Sequence, residues 1–363
     1  MFRRLLRIVV ALIFIVSGFV KAVDVKGFSF KLEEYFSPQV FNIEILESWV
    51  LPIAFFVVIL ELILGILLLL KISVRKVLSA LIGLCVFFAF LTFYSAYFNV
   101  VTDCGCFGDA VKFTPWQSFW KDILLLVLLL LLYFAYRDKA PTYFVRARGS
   151  VLFLGTIVSL WIMLHGIKHE PIIDFRDYKI GTDLKSERKK IEENPSEYKT
   201  FYTLEHQKTK EVIKVNQDDY INQNYWQNPD WIIQEDKTTS EVVKEGYASE
   251  IVKFKIEDPY GNDITDSLIQ APKTVLVFSY KPTEVDANLL EAVENKVSKH
   301  RKTVVYGVST AQNIFKILPN AMMDGTAIKT IARSNPFVLV LENGKITDKK
   351  SAKDYIKLVV HFK

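Results

Sequence analysis

Apolar residues are spread unevenly along the chain. Five largely apolar stretches, roughly 5–20, 49–70, 77–101, 120–136 and 149–167, crowd into its first part. About 20 mainly apolar residues cross a bilayer core as a helix, so this spacing predicts a membrane bundle of four to five transmembrane helices. The second stretch carries one charge, Glu61, and the third carries none. In the fourth, Ile123 to Tyr136 is unbroken apolar sequence, with Trp116, Trp120 and Tyr133 near its ends, where interfacial aromatics belong.

The pattern changes at residue 168. Residues 168–249 are polar with scattered aromatics and read as a linker or subdomain, in which Trp226 and Trp231 are best taken as core. From residue 250 short apolar strands alternate with helices. Strands are expected at Ile251–Ile256, Thr274–Phe278, Thr303–Val308, Phe337–Leu341 and Lys345–Thr347. Helices are expected at Ala287–His300 and around Ile328. That order predicts an α/β layer fold. The expected division is therefore 1–140 for the bundle, 141–167 for a fifth helix, 168–249 for the linker and 250–363 for the α/β domain.

Composition alone hides this division: 51% of residues are apolar, 23% are charged and the mean hydropathy is +0.21. Charge makes it sharper. Residues 1–165 hold 15 Lys and Arg against 10 Asp and Glu, so the whole formal surplus of +5 lies there and the remainder is neutral. The surplus flanks hydrophobic segments instead of forming a soluble basic face, which argues against a nucleic-acid partner, a disordered chain or a single globular enzyme domain. The expected environment is the lipid bilayer. Arg3, Arg4 and Arg7, then Lys71, Arg75 and Lys76, then Arg137, Lys139, Arg146 and Arg148 all fall on one side of the predicted spans. Basic connections stay cytoplasmic, so the expectation is a bacterial inner-membrane protein with a cytoplasmic N-terminus and a periplasmic C-terminal domain. The first stretch could also be a cleaved signal peptide ending at Val20-Lys21-Ala22; a retained helix fits the residues better.

Chemistry concentrates in few places. The cysteines are Cys85, Cys104 and Cys106, and none follows. Cys104 and Cys106 lie in an outward loop, Asp103-Cys104-Gly105-Cys106-Phe107-Gly108-Asp109. A bridge between cysteines two apart departs from relaxed geometry, and strained, exposed disulfides exchange with partners. The pair is thus a candidate catalytic redox pair; a bridge that only rigidifies the loop, or two unpaired thiols, are the competing readings. Two thiolates do not fill a tetrahedral metal site. His165 and His169 lie on the same side, but no metal and no cofactor is evident. Cys85 reads as a packing residue. Glu61 falls near the middle of its span, where an ionised carboxylate is costly. Ser17, Thr92 and Tyr94 are candidate partners, and Lys21 lies one turn beyond Ser17 on the same face.

Three pieces resemble the MauE/DoxX group of bacterial membrane proteins: Phe14-Ile15-Val16-Ser17-Gly18-Phe19-Val20-Lys21-Ala22, Glu61-Leu62-Ile63-Leu64-Gly65, and Cys104 to Gly108 ahead of the fourth helix. The resemblance covers about residues 1–140. It implies a four-helix bundle with a cysteine-bearing outer loop and an association with methylamine utilisation. There such proteins are thought to support maturation of a disulfide-rich dehydrogenase subunit. By that implication a periplasmic thiol or disulfide protein is the expected partner.

The C-terminal order of elements, with Arg333-Ser334-Asn335-Pro336 entering a strand–turn–strand, resembles the thioredoxin-like fold of membrane-tethered TlpA-type proteins. There the matching proline is cis and shapes the binding surface, which makes Pro336 a binding-surface candidate. This chain departs from that family where it matters: Ser279-Tyr280-Lys281-Pro282-Thr283-Glu284 stands where a thioredoxin has Cys-x-x-Cys. Without thiols the domain has no dithiol chemistry of its own. The alternative function is a non-enzymatic membrane assembly or regulatory protein with a structural cysteine loop and a degenerate binding module.

Overall fold

The protein was studied as a computed structural model, which describes residues 1–38, 40–101, 108–111, 113–136, 146–244 and 246–358. Cys104 and Cys106 lie outside the described residues.

Five helices are long and apolar enough to cross a membrane: α1 (Phe2–Val23), α3 (Val50–Leu69), α4 (Val74–Phe98), α5 (Pro115–Ala135) and α6 (Arg146–Lys168). With a further helix, α2 (Val25–Phe36), between the first two, they pack as a bundle. Two glycines set the spacing of α1 and α3. A Cβ on Gly18 would stand 2.8 Å from the Leu62 side chain, and one on Gly65 would stand 2.9 Å from that of Ile15. Small residues at such crossings let helix backbones approach closely. Helix α5 starts on a capping box, in which the Thr114 hydroxyl accepts from the Gln117 amide and the Gln117 side chain accepts from the Thr114 amide, with Pro115 in the first turn.

Helix α2 lies between the first two apolar stretches. The chain leaves α1 at Asp24, whose carboxylate accepts from the Gly27 amide and caps α2. One face of α2 (Val25, Phe28, Leu32, Tyr35) then packs on Ala54 and Val58 of α3 and Leu84, Phe88 and Leu91 of α4. Its apolar positions follow the helical spacing of an amphipathic segment.

The region after the bundle is mixed α/β with two sheets. The first fills much of the expected linker. Its long strand β1 (Glu197–His206) pairs antiparallel with β2 (Val212–Asn216) on one edge, and with β3 (Trp231–Ile233) and β4 (Thr239–Lys244) on the other. Trp226 is 57% exposed, on a short turn outside this sheet, so the expectation of a core tryptophan fails there. Trp231 is partly buried, edge-on to His206 and Tyr225.

The second sheet has the order β7–β6–β5–β8–β9. Strand β5 (Lys273–Ser279) runs parallel to β6 (Val304–Ser309) and antiparallel to β8 (Phe337–Glu342). Strand β7 (Asn320–Met322) adds parallel to β6, and β9 (Lys345–Ser351) closes a hairpin with β8. Alternate residues face opposite cores, as the two-residue strand period requires. Leu276, Phe278, Phe337 and Leu339 pack with Tyr178, Phe254 and Ile328 on one face; Val275, Val277, Val338 and Val340 pack with Val293, Val297 and Tyr355 on the other. The expected strand at Ile251–Ile256 does not form. Residues Glu250–Lys253 make a short 3₁₀ turn, and Ile251, Phe254 and Ile256 are all buried on the same core, a spacing that strict alternation does not allow.

Gly307 of β6 tests this packing. A Cβ there would lie 2.2 Å from the Phe315 ring. Gly307→Ala should destabilise the second sheet by about 1–3 kcal/mol, the usual cost of overpacking a tight core, measured as faster hydrogen exchange in β5 and β6 with the bundle unaffected.

Candidate functional site

Two polar centres carry the chemistry of the described residues. The first lies inside the bundle. Lys21, in the last turn of α1, and Glu61 of α3 are each 2% exposed and pair at 2.8 Å. The Lys21 ammonium also donates to the Ser17 hydroxyl at 2.9 Å and stands 4.9 Å from the centre of the Phe88 ring. A buried charge is tolerated only when paired and hydrogen-bonded, and Lys21 meets its needs from α1, α3 and α4. Next to the pair is a second acid, Asp122 of α5, 3% exposed. It pairs with Lys121 at 2.8 Å and accepts from the Thr92 hydroxyl at 3.2 Å; its backbone carbonyl accepts from the Cys85 thiol at 3.2 Å. A cavity of about 20 Å³, room for one water, is lined by Ser17, Lys21, Glu61, Cys85 and Asp122.

Of the partners expected for Glu61, the structure brings Lys21 to it directly and Ser17 through Lys21. Thr92 bonds Asp122 instead. Tyr94 points away: its hydroxyl reaches the Val40 carbonyl at 3.5 Å, and its ring packs on Phe41 and Phe98.

The second centre joins the bundle to the α/β region. Arg333, 6% exposed, precedes Pro336 by three positions. Its guanidinium donates to Asp24 at 2.7 Å, to Asp109 at 2.5 Å and to the Lys329 carbonyl at 2.5 Å. Asp24 is the break between α1 and α2; Asp109 is three positions past Cys106. Behind Arg333, Glu170 accepts from the amides of Arg333 and Ser334, from the Ser334 hydroxyl and from Arg176 at 3.0 Å. Arg176 also bonds Asp174 at 2.7 Å, and Lys349 reaches Asp174 at 2.5 Å. Phe30 of α2 inserts between the Tyr280 ring, edge-on at 5.7 Å, and the cations of Lys329 and Arg333. Lys329 and Lys281 both pair with Glu33 of α2.

Pro336 itself is buried, its preceding peptide bond is cis, and its carbonyl accepts from the Ala352 amide. Asn335 accepts from Ser279 and from the Tyr280 amide, which fixes this loop to the segment where a dithiol motif would stand. Beside it a cavity of about 570 Å³ opens between α2, Gly108 and Asp109 on one side and Arg176, Lys329 and Arg333 on the other. That is the size of a small-molecule or side-chain pocket. His169 pairs with Asp354 at 2.7 Å and stacks on His165. Among the described residues no His, Cys, Asp and Glu group is arranged to hold a metal.

Burial alone would raise Glu170, yet Arg176, Lys349 and the Ser334 donors outweigh it and hold the carboxyl at about 2, against an ordinary 4.5. Asp174 is held at about 2 against the same burial by Arg176 and Lys349. Burial, with Arg176 nearby, pulls Lys349 down to about 8 in spite of Asp174.

Residues 1–135 match the family model of methylamine utilisation protein MauE. The MauE-like part contains Ser17, Lys21, Glu61, Asp122, Asp24 and Asp109, and its sequence includes Cys104 and Cys106. Arg333 and Glu170 come from outside it. Protein TlpB of Flavobacterium psychrophilum is 31% identical over 169 residues, which make up 44% of this chain and 43% of TlpB. The chain thus covers less than half the length of that relative. No solved structure matches. The match and the five apolar helices make this an integral membrane protein with a MauE-like bundle.

Sequence reasoning passed over Asp24, Asp109, Asp122, Glu170 and Arg333 as site residues. Asp122 carried a signal, an acid inside a long apolar run. Glu170 carried none, because its partners Arg333 and Ser334 lie more than 160 positions away.

Two outcomes follow from these centres. Lys21→Met and Glu61→Leu should each cost about 3–5 kcal/mol by stranding a buried charge, while the double variant regains most of that loss; thermal unfolding in detergent measures the cycle. The acid response is set by Glu170 and Asp174. Their folded values lie below the unfolded ones, so their stabilisation is complete above about pH 4.5 and is lost as pH falls toward 2. The joint at 170–176 and 333–334 should therefore hold at pH 5 and open below 4.5, read by hydrogen exchange of the Arg333 and Ser334 amides, and Glu170→Gln should shrink that acid transition.

Proposed function

We propose that this protein is a membrane-bound thiol–disulfide exchange component, in which Cys104 and Cys106 form the redox pair and the α/β region is a thiol-free, thioredoxin-like module that presents partners to it. The observation that carries this reading is the 2.5 Å contact between Arg333 and Asp109. It ties the loop before Pro336 to the chain three positions past Cys106. The topology of the second sheet supports the thioredoxin-like reading: parallel β5 and β6 beside the antiparallel hairpin β8–β9. The charge of the connections supports a bacterial inner-membrane setting with the α/β region in the oxidising periplasm.

The chemistry balances without a further cofactor. A partner thiolate attacks one sulfur of a Cys104–Cys106 disulfide and releases the other as a thiolate, giving a mixed disulfide. The partner's second thiolate then breaks that bond, leaving the partner oxidised and the pair reduced by two electrons and two protons. The reverse run oxidises the pair, and the relative reduction potentials set the direction. Thiol exchange, rather than methylamine itself, is the part of the MauE resemblance carried over here.

The test is trapping in the native membrane. Rapid alkylation should find the pair in both oxidised and reduced forms, in a ratio that shifts when periplasmic thiol oxidases or reductases are deleted. Cys104→Ser or Cys106→Ser should retain a protein partner on the remaining thiol, released by reductant. Arg333→Ala should lower the yield of that adduct several-fold while leaving the bundle inserted. A pair that never changes state, with no adduct in either variant, would overturn the exchange reading and leave the cysteine loop as a structural part of an assembly protein.

A further inference from the structure

At the end of the bundle away from the α/β region, a cavity of about 1380 Å³ is lined by the start of α1, the turn between α3 and α4, the end of α5 and the start of α6. Seven cationic side chains face it: Arg3, Arg4, Arg7, Lys71, Arg75, Lys76 and Arg148. Among the described residues no carboxylate lines it and none of the seven has an acidic partner. What holds these cations is neutral. Arg3 lies 4.8 Å from the Tyr136 ring centre and donates to the Ala135 carbonyl, and Arg75 lies 5.4 Å from the Tyr133 ring centre.

Arg7 shows that the site is built. It is 6% exposed, and its Nη1 donates to the carbonyls of Leu68 and Leu69, closing the end of α3. Among the described residues its Nε has no partner, and neither does the buried Nη1 of Arg148. A buried guanidinium donor left unsatisfied costs free energy unless an acceptor arrives. A second feature points the same way. The 25-residue helix α4 begins at this cavity with no side-chain cap from Ser73 and no acid in its first turn. Its free amides and the positive end of its dipole favour an anion there.

We infer that this cavity binds the phosphate headgroup of an anionic membrane phospholipid. Phosphate supplies the acceptors that Arg7, Arg148 and the α4 amides lack, and Arg is well suited to phosphate oxygens. The surroundings select a lipid over a free ion. Leu5, Val9 and Leu12 form an exposed apolar stripe running along α1 from the cavity, a wall for an acyl chain. Basic pockets between transmembrane helices are a recurrent way of holding acidic headgroups.

The experiment uses the full-length protein in neutral detergent, with phosphatidylglycerol, phosphatidylcholine or inorganic phosphate added at matched concentration. Phosphatidylglycerol should raise the unfolding temperature by several degrees and remain bound in native mass spectrometry, with phosphatidylcholine at least fivefold weaker. Arg75→Gln combined with Arg148→Gln, on exposed or half-exposed positions that leave Arg7 on the Leu68 and Leu69 carbonyls, should remove most of the shift; Arg7→Gln should remove it further. Equal shifts from phosphatidylglycerol and phosphatidylcholine, or from inorganic phosphate alone, would overturn the assignment to an anionic lipid. An undiminished phosphatidylglycerol shift in the Arg75/Arg148 variant would overturn the assignment to this cavity.

Discussion

One guanidinium holds the two halves of this molecule in register. Arg333 is planar, permanently charged and able to donate in several directions at once. It uses that geometry to bind Asp24 at the break between α1 and α2 and Asp109, three positions past Cys106. Its own backbone amide is anchored on Glu170, at the exit of α6. A lysine would supply the charge but not the divergent pair of contacts. Because both acids belong to the bundle, the orientation of the α/β region is fixed by a buried, hydrogen-bonded contact as well as by its covalent connection. Phe30 and the Glu33–Lys329 pair extend this joint along α2.

The membrane part was legible in the sequence because hydrocarbon imposes a length and an apolar composition that few other contexts demand. The strands β5, β6, β8 and β9 were legible for a similar reason: runs such as Thr274–Phe278 are apolar on both faces and bounded by turn residues. Helix α2 was not. Along the sequence its apolar residues are separated by Lys26, Lys31, Glu33 and Glu34, so it falls below the signal of a span and reads as a charged connection. The small first sheet was missed because only Leu204 of β1 is fully buried, which leaves almost no alternation to detect. The Arg333 centre depended on contacts between positions up to 309 apart, which no local pattern announces.

The α/β region keeps a layered core yet has no cysteine, and the segment after β5 is tied instead to Asn335. The buried loop around Pro336 is occupied by contacts within the chain itself. The region meets the bundle through Tyr280 on Phe30, Lys281 on Glu33 and Arg333 on Asp24.

The Lys21–Glu61 pair has a consequence for how the protein is made. Glu61, near the middle of α3, would alone take a charge into hydrocarbon at a cost of about 2.5–3.5 kcal/mol on an insertion scale. Paired with Lys21, 40 positions away, it becomes half of a neutral couple. Helix α1 carries the Lys21 ammonium in its last turn, bonded to Ser17, so it is α3 that depends on its predecessor in the chain for a counter-charge. An α3 that has not docked on α1 keeps an uncompensated acid at mid-span, a physical mark that distinguishes an unfinished bundle from a completed one.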